Sequence, residues 1–421
     1  MTKYPAFIIR SLIVLFSLLT VVRSFYYSGI SGGTDLRNRV VGARLLGQGH
    51  SPYFYKSSPS DEERLMDPND IPARLVNGNT VTPAVLYVTY PLTFLNYRSI
   101  RLIWTILQIL AVLAIVWMML RRYIESSPLT AAGIVILGLI SSDYWFMHVE
   151  RGQMTVFYVF LFALMYFAYT ARWKYAEFIS GFVGGLFILF RPFAIFAGIG
   201  FLIHGKMKWV KGCITGAISG ILIFVVPSPS VWKDYFKAME EYGNECLGKG
   251  HVIGNTSPNI YPAVIEGAGN LTAIQGFDIS SMPSMYGYFI KLGINYTPVI
   301  SWLACGCVLC TISILFFRLR KRTTAAGLFL FAFLAYLTGE LFMLNWRSPY
   351  SLIEWVFPLF LIVQFVQKKP APMILIFISL LFLHKDPFYF HFQALLGELI
   401  LLFLIGYIFF TERNKETAGT E

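Results

Sequence analysis

Residues 100–120 read IRLIWTILQILAVLAIVWMML, an apolar run with a single charged residue, Arg101. Its length matches the roughly 20 residues that an α-helix needs to cross the hydrocarbon core of a bilayer. Runs of this kind recur along the whole chain, so the sequence predicts an all-α polytopic membrane protein. We place about twelve transmembrane helices, at 8–27, 100–120, 129–147, 154–171, 176–190, 193–204, 211–227, 297–317, 324–344, 351–367, 371–384 and 390–410.

The composition supports a membrane protein and argues against a nucleic-acid-binding one. Of the 421 residues, 56% are hydrophobic and only 14% are charged, and the mean hydropathy is +0.61. A soluble domain of this length could not bury so much apolar surface. The net charge of +11 lies mostly in short clusters between the predicted helices. We therefore expect no nucleic-acid partner.

These basic clusters also predict how the chain is oriented. Lys and Arg are enriched in cytoplasmic loops, and with the amino terminus inside, a basic cluster falls at every predicted inner turn. Both termini are then cytoplasmic, and we expect a multi-pass protein of the bacterial cytoplasmic (inner) membrane. The clusters are Arg121/Arg122, Arg172/Lys174, Lys206/Lys208/Lys211, Arg318/Arg320/Lys321/Arg322 and Lys368/Lys369.

Two long segments, 28–99 and 228–296, lie outside in this topology, within one membrane domain of residues 1–421. Both are rich in Gly, Pro, Ser, Asn and Tyr, and we expect each to carry short helices at the membrane interface. Segment 35–46 is the clearest candidate helix, with Thr34 as its predicted N-cap. Its apolar stripe is Leu36, Val40 and Ala43, and Arg37 and Arg44 lie on another face.

Asp35 stands in the first outer segment, which begins GGTDLRNRVVGARLLGQGHSPY at Gly32. A carboxylate in the first turn of a helix is stabilised by the helix dipole, and Asp35 could also pair with Arg39 four positions later. Local sequence alone favours such a structural role for Asp35.

Four short outer turns carry an isolated cation, although cations are disfavoured on this side of the membrane. A single interfacial Lys or Arg can simply extend towards lipid head groups. Four of them beside an apolar bundle suit a lipid-linked phosphate or pyrophosphate, which needs charge-assisted donors near an apolar groove. The predicted phosphate-binding residues are Arg151, Arg191, Arg347 and Lys385.

Short motifs in these outer segments follow one another along residues 30–360. They are Asp35 through Ala43-Arg44-Leu45-Leu46 to Pro52-Tyr53, Thr82-Pro83 to Tyr90-Pro91, Gly152-Gln153, Arg191-Pro192 and Ser348-Pro349-x-Ser351. In this order they resemble the GT-C glycosyltransferases and, more narrowly, glycosyltransferase family 87, the relatives of polyprenol-phosphate-mannose-dependent mannosyltransferases. Two positions depart from that pattern: Thr155 stands near Gln153 where an Asn is frequent, and many relatives have a histidine around Glu354.

The resemblance implies a GT-C-like bundle and an inverting transfer of a sugar from a polyprenyl-phosphate donor. The acceptor would be a glycolipid or cell-envelope glycan on the outer face of the membrane, among membrane lipids. Asp35 would be the general base, and the four cations would hold the donor phosphate. The further predicted substrate-binding residues are Gln153, Glu150, Tyr53, Ser348, Glu354 and His384.

No cofactor is implied with certainty, and the dependence on a divalent metal is left open. Glu150, Asp143 and the histidines could act as metal ligands, but a structural or hydrogen-bonding role is favoured for each. We therefore predict no metal site.

Two alternative functions fit the same sequence. A lipid-linked oligosaccharide polymerase or ligase would also use outer arginines and a polyprenyl groove. A membrane transporter or flippase would place ionisable residues at mid-membrane depth. Glu340 and Glu398 lie in predicted spans. Hydrogen bonding between helices explains these two residues at least as well as a role in transport does. The other candidates lie at the outer boundary, which favours an enzyme.

Overall fold

The structure is a computed structural model and describes residues 3–31, 33–55, 79–122, 128–246, 297–320, 323–343, 347–384 and 393–414. Within these ranges the chain is helical and contains no β-strand. The α-helices are α1 (Lys3–Ser31), α2 (Thr34–Gly47), α3 (Pro83–Thr89), α4 (Tyr97–Arg121), α5 (Pro128–Val135), α6 (Asp143–Arg151), α7 (Thr155–Tyr169), α8 (Ala176–Phe190), α9 (Gly198–Ile203), α10 (Met207–Phe224), α11 (Pro229–Cys246), α12 (Pro298–Leu319), α13 (Ala325–Phe342), α14 (Val356–Val366), α15 (Pro370–His384) and α16 (Gln393–Asn414). Three 3-10 segments and a π turn join them, at Tyr90–Phe94, Pro192–Ala197, Pro349–Trp355 and Ile136–Ile140.

The predicted all-α polytopic architecture is confirmed. Seven helices of the described chain are long and apolar enough to cross a membrane, and α5 with α6 makes an eighth if the bent pair is one span. Shorter apolar helices of 10–17 residues occur at Thr155–Tyr169, Ala176–Phe190, Pro192–Ile203 and Pro370–His384. These four coincide with predicted spans but are short for a bilayer crossing. The number of about twelve spans therefore stays a prediction.

The span predicted at 129–147 is not one straight helix. Its two halves are bent by 63°, because the chain leaves the π turn at Ser141 and restarts as α6 after Ser142. The Ser142 hydroxyl accepts a hydrogen bond from the Trp145 backbone N–H at 3.3 Å, which caps α6. This bend directs α6 along a new axis and determines where its last residue, Arg151, lies.

Burial distinguishes the centre of the bundle from its outer helices. In α13 and in segment Pro349–Val366, 83% and 78% of the spanning residues are buried, against 22% in α10 and in α12. Side chains such as Leu222 and Leu303 are about 60% exposed (60% and 64%), as lipid-facing residues are. Glu340 and Glu354, which are described below, belong to these two most enclosed segments.

Helices α8 and α10 pack backbone against backbone. A Cβ atom on Gly181 would lie 1.9 Å from the Trp209 carbonyl oxygen, and one on Gly212 would lie 2.1 Å from the Phe178 carbonyl oxygen. Small residues at helix interfaces in membranes permit such a close approach. The contact holds α8 firmly, and Arg191 follows the last residue of α8.

Helix α2 lies where a helix is predicted, but its surroundings differ from the prediction. Every residue from Leu36 to Leu45 is buried, including three arginines, so the predicted polar face is enclosed as well. The N-cap is Gly33, at a φ of 64°, rather than Thr34. The Gly33 carbonyl oxygen accepts a hydrogen bond from the Tyr97 hydroxyl at 2.8 Å, which ties the start of α2 to α4.

Helices α3, with 7 residues, and α11, with 18 residues, lie in the two predicted outer segments. The side chains of Tyr87 in α3 and Ser228 before α11 are hydrogen-bonded, so the two segments touch. Residues 56–78 and 247–296 of these segments lie outside the described residues.

We expect Gly212→Ala to destabilise the protein by about 1–3 kcal/mol, since the added methyl group forces two backbones apart. The matched control is Gly306→Ala in α12, where a Cβ atom would meet nothing within 4 Å. Thermal unfolding in detergent should show a lower melting temperature for Gly212→Ala alone. Equal melting temperatures in the two variants would contradict the close contact.

Candidate functional site

Asp35 lies at the start of α2 and meets the turn that follows α6. Its Oδ2 atom accepts a hydrogen bond from the Gln153 side-chain amide and lies 3.8 Å from the Arg151 Nη1 atom. The Asp35 and Arg151 side chains are 24% and 33% exposed. The structure therefore brings three predicted site residues together at an accessible edge of a largely buried region.

Gly152 allows this contact. It ends α6 with a φ of 68°, a left-handed conformation that costs a residue with a Cβ atom roughly 1–2 kcal/mol. A Cβ atom on Gly152 would also lie 2.6 Å from the Cβ atom of Leu36, which neighbours Asp35. Glycine at this position thus permits both the turn and the close approach of α2.

Arg39 and Gln108 hold the turn in place, and the sequence had not singled out either as a site residue. Arg39 is buried; it donates to the Gly152 carbonyl oxygen at 2.6 Å and to Gln153 Oε1 at 2.8 Å. Gln108 Nε2 donates to the Gln153 carbonyl oxygen at 2.9 Å. The described hydrogen bonds of Arg39 thus go to the turn, whereas the sequence suggested Asp35 as its partner.

The segment after Arg347 completes this region. Ser348 is buried and begins the 3-10 segment Pro349–Trp355. The ring of Tyr350 lies under Arg151, with 5.9 Å between the guanidinium carbon and the ring centre, and Tyr350 is within electrostatic range of Asp35. We call Asp35, Arg39, Arg151, Gln153 and Tyr350 the Asp35 cluster.

Arg191 has a carboxylate partner in α13. Its Nε and Nη2 atoms donate to the two carboxylate oxygens of Glu340 in α13, with 2.7 Å for the Nε contact. Glu340 is fully buried, whereas Arg191 is 25% exposed. The guanidinium carbon of Arg191 lies 5.7 Å from the ring centre of Tyr158, and Tyr158 is also within electrostatic range of Arg39.

Arg347 is fully enclosed, unlike Arg151 and Arg191. It is 0% exposed and donates to both oxygens of Glu398 in α16, at 2.8 and 2.6 Å. Its Nη2 atom is also 3.4 Å from Glu354. Trp355 Nε1 donates to Glu398 at 2.7 Å, and the Tyr336 hydroxyl donates to Glu354 at 2.9 Å. We call these five residues the buried glutamate network.

Tyr53 and His384 make contacts outside the Asp35 cluster and the buried glutamate network. Tyr53 is buried, donates to the Val81 carbonyl oxygen at 2.7 Å and packs on Tyr235. Burial raises the pKa of Tyr53 well above its usual value, with smaller contributions from Tyr235 and Asp234, so its hydroxyl stays protonated. His384 Nδ1 is 3.3 Å from the Gly138 carbonyl oxygen.

Glu150 lies on α6, half-buried, one position before Arg151, and Lys385 lies outside the described residues. Within the described ranges, no group of three or more His, Cys, Asp or Glu side chains converges on a point where a metal ion could bind. The dependence on a metal stays open.

The Asp35 cluster can carry out acid–base chemistry. A partly exposed carboxylate can accept a proton from a hydroxyl group, and a neighbouring guanidinium can stabilise negative charge that develops close by. Among the described contacts of Asp35, those with Gln153 and Arg151 both use Oδ2, so Oδ1 can face a substrate.

Residues 80–345, more than half of the chain, match the model of glycosyltransferase family 87. This segment contains Gln153, Arg191 and Glu340, whereas Asp35 precedes it and Ser348 follows it. No curated protein matches the chain.

We expect Gly152→Ala to impair both stability and function, because the substitution combines a left-handed φ with a collision against Leu36. Gly205→Ala is the matched control: Gly205 has a φ of 71°, but a Cβ atom there would meet nothing within 4 Å. Melting temperatures should fall further for Gly152→Ala than for Gly205→Ala. The same loss in both would show that only backbone strain matters.

The buried glutamate network predicts a characteristic double-mutant cycle. Arg347→Met leaves Glu398 charged without its partner and should cost about 3–5 kcal/mol. Adding Glu398→Gln removes that charge while retaining an acceptor for Trp355, so the double variant should recover part of the loss. Unfolding of the purified single and double variants measures this coupling. An Arg347→Met variant as stable as the parent protein would instead favour a substrate-binding role for Arg347.

Proposed function

The chain belongs to glycosyltransferase family 87, and from this premise we propose that it transfers a sugar from a polyprenyl-phosphate donor. The acceptor is a glycolipid or a cell-envelope glycan on the outer face of a bacterial cytoplasmic membrane. The reaction inverts the anomeric centre and uses Asp35 as the general base. The family favours this reaction over a transporter or flippase, and over a polymerase or ligase.

The observation that carries the proposal is the setting of Asp35. Its carboxylate is partly exposed, is held by Gln153 and lies 3.8 Å from Arg151. In the reaction Asp35 takes the proton of an acceptor hydroxyl while that oxygen bonds to the anomeric carbon. The bond from this carbon to the phosphate oxygen breaks, and the polyprenyl phosphate leaves with the electron pair. One carboxylate suffices, because a phosphate leaves without prior protonation.

Arg151 and Arg191 are the cations that we assign to the donor phosphate. Arg151 is 33% exposed beside the base. Arg191 uses Nε and Nη2 for Glu340, and its 25% exposure lets Nη1 donate to a phosphate oxygen. Glu340 then aligns the guanidinium, as a fixed carboxylate partner does. Both cations would stabilise the charge that develops on the departing phosphate.

Arg347 would have to leave Glu398 to reach a phosphate, so its donor-phosphate role stays a prediction, as does that of Lys385. Gln153 contacts the base directly, and Ser348 lies at the start of the neighbouring 3-10 segment. Substrate roles for the other four, Glu150, Tyr53, Glu354 and His384, also stay predictions.

Asp35→Asn tests the proposal. The amide preserves the shape of the side chain and removes its basicity, so folding should survive while turnover falls by about 10²–10⁴-fold. Transfer is measured with purified protein in lipid, polyprenyl-phosphate sugars as donors and a membrane lipid extract as acceptor. The control is Glu177→Gln, which alters a carboxylate of similar exposure (31%) paired with Lys206 and should leave turnover unchanged. Normal transfer by Asp35→Asn would remove the assignment of the base.

A further inference from the structure

The Gln153 side-chain amide makes a different kind of contact at each end. Its oxygen accepts from Arg39 at 2.8 Å, and its nitrogen donates to Asp35. A guanidinium has only donors, so it can face only the oxygen of the amide. The nitrogen must then point towards Asp35. The donor-only guanidinium and the acceptor-only carboxylate thus require the same orientation of the amide, and Arg39 anchors its oxygen.

We propose that Arg39 is a positioning residue for the transfer reaction: it fixes the orientation of the Gln153 amide and thereby holds the Asp35 carboxylate towards the acceptor. This inference rests on the proposed role of Asp35 as the base. Arg39 acts through Gln153 and does not itself touch the substrate.

Arg39 is suited to this task because its own position is fixed. It is 5% exposed, and its Nη1 atom donates to the Gly152 carbonyl oxygen at 2.6 Å. It lies one helical turn after Asp35 on α2, so one helix supplies both the carboxylate and the group that orients its hydrogen-bond donor. Gln108 meanwhile holds the main chain of Gln153.

Loss of Arg39 has a defined consequence. Without Arg39, the oxygen of the Gln153 amide loses its donor in a poorly solvated region, where an unsatisfied acceptor is costly. The amide can then move away from Asp35 to find another donor. Asp35 would lose the hydrogen bond at Oδ2, and a small displacement of a reacting group can cost about 100-fold in rate.

Three variants separate this role from simple packing. Arg39→Gln removes the donor-only group and keeps a polar side chain. Arg39→Lys retains a group that can only donate. Gln153→Glu keeps a partner for Arg39 but presents a carboxylate oxygen to Asp35. This variant still tests the proposal if Arg39→Gln does not fold.

The first readout needs no substrate. The full-length protein in lipid is treated with a water-soluble carbodiimide and glycine ethyl ester, and labelling of Asp35 is quantified by mass spectrometry relative to Glu177. We expect Asp35 labelling to rise in Arg39→Gln and in Gln153→Glu, because the amide no longer covers Oδ2. Arg39→Lys should label like the parent protein.

Turnover should follow the labelling rather than the melting temperature. We expect a loss of about 100-fold in kcat for Arg39→Gln and Gln153→Glu, with little change in the KM for the donor, and partial rescue in Arg39→Lys. Unchanged Asp35 labelling in both Arg39→Gln and Gln153→Glu would overturn the positioning role. Altered labelling together with normal transfer by Asp35→Asn would instead overturn the proposed base, so the two failures are distinguishable.

Discussion

An ionised group within an apolar bundle is stable only if an opposite charge or a set of hydrogen bonds compensates for lost hydration. Arg347 and Glu398 meet this constraint with a bidentate pair at 0% and 1% exposure. Their contact joins α16 to the segment that begins at Ser348. Because an unpaired buried charge on either residue would cost stability, the pair fixes the two elements relative to each other. It thereby places Tyr350 under Arg151.

The same constraint explains where reactive groups can stand. Glu340 is fully buried and has Arg191 as its partner, so it cannot act as a freely accessible base. Asp35 and Arg151 are held more loosely, with a 3.8 Å separation and a quarter to a third of each side chain exposed (24% and 33%). The enclosed ion pairs thus provide a rigid frame, and the accessible charges lie at its edge.

Several parts of this arrangement could be predicted from the sequence. Hydropathy located the helices, since apolar runs of bilayer length have few other stable structures. The motifs around Asp35, Gly152-Gln153 and Ser348-Pro349 were expected at one face, and the structure brings Asp35, Gln153 and Tyr350 into one cluster. Composition alone predicted a membrane protein, and the order of the short motifs indicated glycosyltransferase family 87.

Other features depend on contacts between distant parts of the chain. Glu340 and Arg191 are 149 positions apart, and periodicity carries no information on such a pairing. The burial of Arg39 could not be predicted either, because an arginine on a short outer helix is expected to be exposed to solvent. Gln108, a polar residue near the middle of the apolar run 100–120, was the feature of the sequence that could have indicated a partner for the turn. The bend between α5 and α6 likewise follows from packing and from a serine cap rather than from hydropathy.

The most direct test of the account is a structure of the full-length protein in lipid with a polyprenyl-phosphate sugar bound. The account predicts that the phosphate contacts Arg151 and Arg191 and that the anomeric carbon lies beside Asp35, with room for an acceptor hydroxyl at Oδ1. A donor phosphate bound at the opposite end of the helices, near Lys206 or Lys368, would contradict it.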